Sequence, residues 1–289
     1  MPSTDGADFV PTLHNDTYST INPAYADLAG KVALVTGASK GIGRATALAL
    51  AQAGVSGLVL LARSDTSIVK AECEAVQRSG KPLTVITAAA DVSNTTDIAG
   101  AVALVQSVFG RLDIVVNNAG CLETYHLVAD SDPDEWWSIW NVNIRGVYEV
   151  TRACIPLLLE CDGDKTIINI TSRVAHVTGS HLSAYMTTKL ALLRFTELVM
   201  AEYAGKGLLV YAVHPGSIPT DIQATMPQKY RHVLVDTLEL ASHTIVWLLR
   251  ERREWLGGRY ISCQWDVDGL LAKREEIVEG DKLKIKMVL

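Results

Sequence analysis

The sequence has few of the features that mark secreted, membrane-bound or disulfide-rich proteins. No uninterrupted apolar run approaches the roughly 18 residues of a membrane span, and the first Lys or Arg is Lys31. A secretory leader would need an early positive charge and an apolar core. The five cysteines are scattered, with no C-x-x-C pair: Cys73, Cys121, Cys154, Cys161 and Cys263. We therefore expect a cytoplasmic protein in a reducing compartment, with no membrane span and no disulfide framework.

Excess positive charge is also missing. The chain carries 26 basic and 32 acidic residues, which gives a formal net charge of −6. Nucleic acids and anionic lipid surfaces attract basic proteins. The chain is therefore expected to bind neither nucleic acid nor a membrane surface.

The length of 289 residues, 48% of them hydrophobic, is enough for one large domain or two small ones. Residues 1–29 are polar, with prolines at positions 2, 11 and 23. They are predicted to form an N-terminal extension that is loosely ordered or lies on the surface of the domain. A mobile tail is favoured over a functional lid. Residues 30–289, including a tail at 266–289, are assigned to a single domain.

Short apolar segments alternate with helical patterns along residues 30–262. Strands are predicted at 31–36, 57–63, 83–87, 113–116, 166–170, 208–213 and 258–262. Most of the segments between them have the composition of helices, one of which Asn94 or Thr95 is placed to cap. Strands joined by helical crossovers form a parallel sheet, so we expect a doubly wound, Rossmann-type α/β fold of about seven strands with helices on both faces. Ligands of such folds bind at the carboxyl ends of the strands.

A glycine-rich turn lies between the first predicted strand and a predicted helix. It contains Gly37, Ser39, Lys40, Gly41, Ile42 and Gly43. Glycines let the backbone approach a pyrophosphate closely, and the helix N-terminus offers free N–H groups. The turn is therefore predicted to bind the phosphates of a dinucleotide.

The residues after the second strand bear on which dinucleotide binds. In this fold an acidic side chain here bonds the 2′-hydroxyl of NAD, whereas cations suit the 2′-phosphate of NADP. The chain has Arg63 and Ser64 here, with Lys40 in the glycine turn. NADP(H) is therefore predicted over NAD(H). The alternative is that Arg63 is a solvated loop residue, and Asp65 lies close enough to keep that alternative open.

Tyr185 and Lys189 are four residues apart in a helical segment, so their side chains share one face. A nearby ammonium favours the phenolate, and we expect it to lower the pKa of Tyr185 and make this residue a proton donor and acceptor near neutral pH. Ser172 ends a strand on the ligand side, upstream of this pair. Asn143 lies in a long apolar helix and needs partners if buried, which leaves a structural or a relay role open.

The loop between Ser172 and Tyr185 can form a wall of a pocket. Its His176 and His181 are candidate substrate contacts, together with Cys121. A metal site is not predicted, because no third ligand stands at a recognisable spacing from these histidines.

Together these residues resemble the short-chain dehydrogenase/reductase family, over roughly residues 30–265. The family pattern T-G-x-x-x-G-x-G is matched at 36–43, N-N-A-G at 117–120 and P-G-x-[IV]-x-T at 215–220. The resemblance implies a catalytic set of Asn143, Ser172, Tyr185 and Lys189. It also implies further cofactor contacts from Tyr185, Lys189, Asp91, Val92, Asn117, Ala119, Gly120, Pro215, Gly216, Ile218 and Thr220.

The family mechanism, as the resemblance implies it, gives each catalytic residue a role. Tyr185 protonates the carbonyl oxygen while hydride arrives from the cofactor, and Ser172 donates a hydrogen bond to the same oxygen. Lys189 lowers the tyrosine pKa and bonds the nicotinamide ribose. Asn143 holds a water that resupplies protons. Two departures from the family pattern, the N-terminal extension and the residues at 173–176, bear on the substrate.

The resemblance therefore predicts an NADPH-dependent reductase of a medium-sized, fairly apolar ketone or aldehyde, or the reverse reaction. The pair Lys40 and Arg63 resembles the NADP-preferring branch, and residues 258–268 resemble the tails of filamentous-fungal members, many of which serve secondary metabolism. The alternatives are a non-redox cyclase or isomerase that uses NADP(H) as a scaffold, and a cofactor-binding regulatory protein. A homodimer or homotetramer is expected through the apolar faces at 133–160 and 184–204.

Overall fold

The computed structural model describes residues 5–223 and 226–287. Within them the predicted strands are all present and parallel, with ends that shift slightly: β1 Val32–Thr36, β2 Gly57–Ala62, β3 Thr84–Ala89, β4 Ile114–Asn117, β5 Thr166–Ile170, β6 Leu209–His214 and β7 Tyr260–Ser262. They form one sheet in the order β3-β2-β1-β4-β5-β6-β7. The order reverses at β1, so the predicted doubly wound topology is confirmed.

The strands at the centre of the sheet are apolar on both faces. Every residue of β1 and β5 is buried, as expected of parallel strands that are covered on both sides. The register sets Ala33 of β1 opposite Leu58 of β2 and Ile114 of β4. All the strands therefore end at one edge, which is where the predicted site residues follow them.

The helices connect the strands and cover the sheet: α1 Gly41–Gln52, α2 Ser67–Val76, α3 Thr95–Phe109, α4 Pro133–Trp140, α5 Val147–Glu160, α6 Ser183–Tyr203, α7 Leu238–Arg250, α8 Val267–Ala272 and α9 Arg274–Glu279. One apolar cluster lies between the sheet and α1, α2 and α7, and a second lies between the sheet and α3 and α5. Asn94 caps α3 by accepting hydrogen bonds from the N–H groups of Thr96 and Asp97, which decides between the two predicted caps. The molecule is thus a three-layer α/β/α structure.

The segment between α4 and α5 is a π-helical turn, Asn141–Gly146. Such a turn accommodates an extra residue in a helix and is frequent at functional sites. Gly146 is required here, because a Cβ on it would stand 2.6 Å from Cγ2 of Val92. The turn directs Asn143 inward, where it is 1% exposed.

The N-terminal extension is packed against the domain along its described part, residues 5–29. Val10, Ile21 and Leu28 are buried in the larger apolar cluster. Of the two predicted alternatives, lying on the surface of the domain therefore describes these residues, and the favoured mobile tail does not. Residues 1–4 of the extension and 288–289 of the C-terminal tail lie outside the described residues.

Candidate active site

The glycine turn joins β1 to α1 and has no room for a side chain at Gly37 or Gly43. Gly37 has a φ of +65°, a conformation that glycine adopts without strain. A Cβ on Gly43 would stand 2.3 Å from the carbonyl oxygen of Gly37. The turn therefore presents bare backbone and the N-terminus of α1, as binding of a pyrophosphate requires. The cofactor predicted from the sequence fits this geometry.

The segment 117–120 fixes the glycine turn in place. Thr36 Oγ1 accepts hydrogen bonds from the N–H groups of Asn118 and Ala119, both at 3.0 Å. Asn118 Nδ2 donates to the carbonyl oxygen of Thr36 at 2.9 Å. Asn117 is turned into the sheet, where its Nδ2 donates to Asn169 Oδ1 at 2.9 Å. This segment therefore connects the cofactor edge to the centre of the sheet.

Two cations stand at the outer end of this edge, and each is paired with a carboxylate. Arg63 Nη1 lies 3.7 Å from Asp91 Oδ2, and Lys40 Nζ lies 2.8 Å from Asp221 Oδ2. Burial alone would raise the pKa of Asp91, but hydrogen bonds from Ser93 and the Arg63 charge hold that pKa below its ordinary value. Both cations are exposed, so an anion can replace these carboxylates at low cost.

The other residues predicted to touch the cofactor lie along the same edge. Ser39 and Ile42 are half-buried in the glycine turn, and Ser64 is exposed beside Arg63. Val92 is buried against Gly146. Gly120 borders the catalytic residues, because a Cβ on it would stand 3.3 Å from Asn143 Oδ1.

Asn143 joins the π turn to the segment after β4. Its Oδ1 accepts from the Cys121 N–H, and its Nδ2 donates to the Cys121 carbonyl, both at 2.9 Å. Nδ2 also lies 3.2 Å from Thr188 Oγ1 on α6. Asn143 therefore has a structural role that holds Cys121 and α6 together, beside whatever part it takes in proton transfer.

Ser172, Tyr185 and Lys189 converge where β5 meets α6. Ser172 follows β5, and its hydroxyl faces that of Tyr185 closely enough to influence the tyrosine pKa. Lys189 lies one turn further along α6, with Nζ 5.4 Å from the centre of the Tyr185 ring. Nζ donates to the carbonyl oxygen of Ile170 at 2.8 Å. The structure thus brings together the four residues that the sequence singled out for proton transfer.

The expected lowering of the tyrosine pKa is not observed in the chain. Burial raises the pKa of Tyr185 to about 12, which the interaction with Ser172 only partly offsets. Burial also lowers the pKa of Lys189 to about 8. Desolvation acts against both charges in the same dry site, so the four-residue spacing alone does not produce a phenolate at neutral pH.

Glu123 is a site residue that the sequence did not reveal. Its carboxylate is 5% exposed and caps the first turn of α6. Oε1 accepts from the Ala184 N–H at 2.7 Å and Oε2 from the Tyr185 N–H at 2.9 Å. The negative charge adds to the raised pKa of Tyr185. Nothing local marks this role, because Glu123 and α6 are about 60 residues apart in sequence.

The loop after β6 contains Pro215, Gly216, Ile218 and Thr220. Thr220 lies against the glycine turn, since a Cβ on Gly41 would stand 3.6 Å from its Cγ2. Gly216 has a φ of +104°, and a Cβ on it would stand 2.7 Å from Asp236 Oδ2. The loop therefore closes the cofactor edge between β1 and β6.

The three candidate substrate residues are placed differently. Cys121 lies in the site, bonded to Asn143, and burial raises the pKa of its thiol to about 11. His176 packs against Tyr260 of β7, with ring centres 4.6 Å apart, and its Nε2 is buried without a partner among the described residues. His181 is exposed and bonds Ser180 at 2.7 Å. Only Cys121 thus has a described contact with the catalytic set.

The described part of the chain contains no group of three or more His, Cys, Asp or Glu side chains that could hold a metal ion. In that same part, every helix is too short or too polar to cross a membrane.

Comparison with known proteins gave consistent matches. The family model for short chain dehydrogenase matches residues 31–231. A short chain dehydrogenase of Monascus purpureus, mpl6, is 47% identical over 291 residues, which cover 100% of this chain and 99% of that protein. The short chain dehydrogenase pigC of Monascus ruber is 45% identical, over 97% of this chain and 94% of that one.

A solved structure is also similar. The 3-ketoacyl-(acyl-carrier-protein) reductase from Brucella melitensis, complexed with NADH, superposes with a TM-score of 0.74 at 28% identity. The match covers 82% of this chain and 98% of that chain. The similarity therefore extends through most of the sheet and the helices around it.

Proposed function

The chain belongs to the short-chain dehydrogenase family, and on that premise we propose that it is an NADPH-dependent oxidoreductase. It reduces the ketone or aldehyde carbonyl of a medium-sized, fairly apolar molecule to an alcohol, or catalyses the reverse reaction. The observation that carries the proposal is the meeting of Ser172 and Tyr185 hydroxyls beside Lys189, at the edge where the glycine turn opens.

The carboxyl edge of the sheet would hold the cofactor. The glycine turn and the N-terminus of α1 would bind the pyrophosphate, and the loop at 215–220 would bind the nicotinamide end. When bound, the cofactor supplies hydride to the carbonyl carbon. Lys189 would bond the nicotinamide ribose through its buried ammonium, which the carbonyl oxygen of Ile170 orients.

The protein residues handle the proton. The Tyr185 hydroxyl donates its proton to the carbonyl oxygen as negative charge develops there, and the Ser172 hydroxyl donates a hydrogen bond to the same atom. A tyrosine with a pKa near 12 is fully protonated at neutral pH, which suits the reducing direction. The Lys189 charge stabilises the phenolate that remains. Asn143 keeps the adjacent backbone of Cys121 in position and supports the water that returns a proton.

Preference for NADPH over NADH is proposed from the charge at the ribose. Arg63 and Lys40 flank the edge, and an added phosphate gains charge-assisted hydrogen bonds from both. Asp91 and Asp221, the carboxylates that pair with these two cations, lie at the same edge of the sheet. The Brucella melitensis structure was solved with NADH, so the two cofactors have to be compared directly.

The substrate is proposed to be apolar because aromatic residues stand near the reacting hydroxyls. Tyr125 is close enough to Tyr185 to raise its pKa, and Tyr230 has the same effect on Tyr125. A secondary metabolite is proposed because fungal proteins are similar over the full length. The protein is proposed to work in the cytoplasm.

A homodimer or homotetramer is proposed from the outer faces of α5 and α6. Tyr148, Leu190 and Leu198 are 46%, 40% and 52% exposed there. Exposed apolar patches on a soluble protein are favoured sites of association. Sedimentation as a monomer would contradict this proposal.

Oxidation of NADPH in the presence of a panel of ketones tests the proposed function. Tyr185→Phe should lower the rate by at least about 100-fold and leave NADPH binding intact. Tyr203→Phe, the same change at a half-buried position at the far end of the same helix, is the matched control. Turnover of substrate without oxidation of the cofactor, or full activity of Tyr185→Phe, would overturn the proposal.

A further inference from the structure

The N-terminal extension pairs with the chain just beyond the last strand of the sheet. Leu13 forms an antiparallel bridge with Trp265. The His14 N–H donates to the carbonyl oxygen of Gln264 at 2.8 Å, and the Asp266 N–H donates to that of Thr12 at 3.0 Å. These bonds attach the extension at the carboxyl end of β7, which is the edge where the cofactor site lies.

Beyond this pairing, the extension reaches a buried carboxylate. Asp236 is 3% exposed and lies directly before α7. Its carboxylate accepts hydrogen bonds from three segments: Ser217 N–H at 2.5 Å, Asn15 Nδ2 at 2.7 Å and Gln264 Nε2 at 2.9 Å. A buried charge needs such donors, because water is not there to solvate it. The Asp236 carboxylate is therefore the junction between the extension and the loop after β6.

Backbone bonds make this junction rigid. The Asp236 N–H donates to the carbonyl oxygen of Ser217 at 3.1 Å, so the two residues are bonded in both directions. The Thr237 N–H donates to the carbonyl oxygen of Asn15 at 2.9 Å. Gly216 packs so closely on Asp236 that a Cβ would not fit. A shift of Asp236 would therefore move Gly216 and Ser217 with it.

We propose that the extension is a working part of the cofactor site, in which Asn15 acts through Asp236 to position the 215–218 loop against the nicotinamide. The inference rests on the proposed function, which assigns that loop to the nicotinamide. Asn15 and Asp236 are positioning residues, since neither touches the cofactor itself. The extension contacts the substrate side too, where Asp5 Oδ2 lies 3.6 Å from Arg173 Nε, next to Ser172.

Asn15 allows a test that leaves the core intact, because its side chain is exposed apart from this contact. Asn15→Ala removes one donor to Asp236, and Asn15→Asp sets a second carboxylate against it. The dissociation constant of NADPH, measured by tryptophan fluorescence, should rise about three- to tenfold in Asn15→Ala and further in Asn15→Asp. The control is Asn22→Ala, at an exposed position of the extension whose side chain accepts a hydrogen bond from the Ala24 N–H; this variant should bind NADPH like the parent.

A reciprocal exchange separates positioning from a general loss of stability. In the double variant Asn15→Asp with Asp236→Asn, the new amide can donate to the new carboxylate while its oxygen accepts from Ser217 and Gln264. The total charge stays the same. NADPH affinity should return to within about threefold of the parent, even if the thermal midpoint does not.

The outcomes distinguish this inference from the function on which it rests. A parent protein that binds neither NADPH nor NADH contradicts the proposed function. A parent that binds NADPH, with Asn15→Asp equal to it, overturns the inference alone. The inference is also overturned if Asn15→Asp binds NADPH weakly and the double variant does not restore the affinity. The loss would then not come from the hydrogen bond between Asn15 and Asp236.

Discussion

Glu123 holds the backbone N–H of Tyr185 with both of its carboxylate oxygens, at 3.2 and 2.9 Å. The bond fixes the start of α6 and also places a negative charge beside the residue that transfers the proton. The carboxylate therefore stabilises the helix and opposes formation of the phenolate. These two effects can be separated, because glutamine keeps one acceptor oxygen and has no charge.

The first prediction concerns the pH dependence of alcohol oxidation. In that direction Tyr185 is the base, so the rate rises as pH approaches its pKa, which is raised in the chain. Glu123→Gln removes a charge that disfavours the phenolate. The ascending limb of kcat/KM against pH should therefore move to lower pH, by up to about one unit.

Glu135→Gln is the control for this change, because Glu135, a half-buried residue of α4, accepts its hydrogen bonds from Thr124, the residue after Glu123. A profile of Glu123→Gln that superposes on that of the parent would show that the charge does not act on Tyr185. Glu123→Ala should in addition lose about 0.5–2 kcal/mol of stability, the usual value of a helix cap.

The second prediction concerns the free energy of unfolding, which burial of the Lys189 ammonium lowers. Its pKa is 10.5 when exposed and about 8 in the folded chain, because burial disfavours the ammonium. The cost is complete below pH 8, falls as pH rises from 8 to 10.5 and is absent above that range. Lys189→Met should therefore raise the free energy of unfolding at pH 7 by about 1–3 kcal/mol while it abolishes turnover.

Urea unfolding at pH 7 and pH 10 checks this prediction, since the gain from Lys189→Met should shrink at the higher pH. Lys206→Met, which changes an exposed lysine, should show little gain at either pH. A gain that does not depend on pH would mean that improved packing, and not removal of a buried charge, stabilises the variant.

The third prediction concerns the choice of cofactor. Arg63→Asp should raise the KM for NADPH about 10- to 100-fold, the value of one or two charge-assisted bonds to a phosphate, with a much smaller effect on NADH. Arg152→Asp makes the same change of charge on α5, away from the cofactor edge, and should leave both KM values unchanged. Equal use of NADPH and NADH by the parent would refute the assignment.

The fourth prediction concerns the glycine turn. Gly43→Ala sets a methyl group 2.3 Å from the Gly37 carbonyl oxygen, so the turn must open and the dissociation constant of either cofactor should rise at least about tenfold. Gly100→Ala lies in α3, where no described atom beyond the local helix backbone stands within 4 Å of the new methyl group. It should add up to about 1 kcal/mol of stability. Unchanged cofactor binding by Gly43→Ala would argue against the turn as the phosphate site.

Features that are local in the sequence were the ones that could be predicted. The seven strands are short apolar runs bounded by turns, and the Tyr185–Lys189 pair and the glycine turn follow from spacing within a single element. The features that were missed depend on residues far apart in the chain. Glu123 follows β4 and reaches α6, which follows β5, because these two strands are neighbours in the sheet. His176 packs against Tyr260, which belongs to the distant strand β7.

The π turn and the tyrosine pKa were missed for a different physical reason. Residues 141–146 are predicted as part of a continuous helix, and the close packing of Gly146 on Val92 is visible only in the folded chain. The pKa of Tyr185 depends on how dry the site is. Burial is a property of the assembled fold, so charge spacing along one helix does not determine it.

The docking of the extension also bears on the order in which parts of the protein fold. Asn15 bonds a partner 221 residues further along the chain, so this contact can form only after two distant segments of the chain have met. Contacts of such long range are slow to form. We expect pulsed hydrogen exchange to show the His14 and Thr237 amides gaining protection after those of β1 and β4; simultaneous protection would contradict this order. A nascent chain would then be unable to hold its cofactor firmly until β7 and the segment at Trp265 that pairs with the extension have been synthesised.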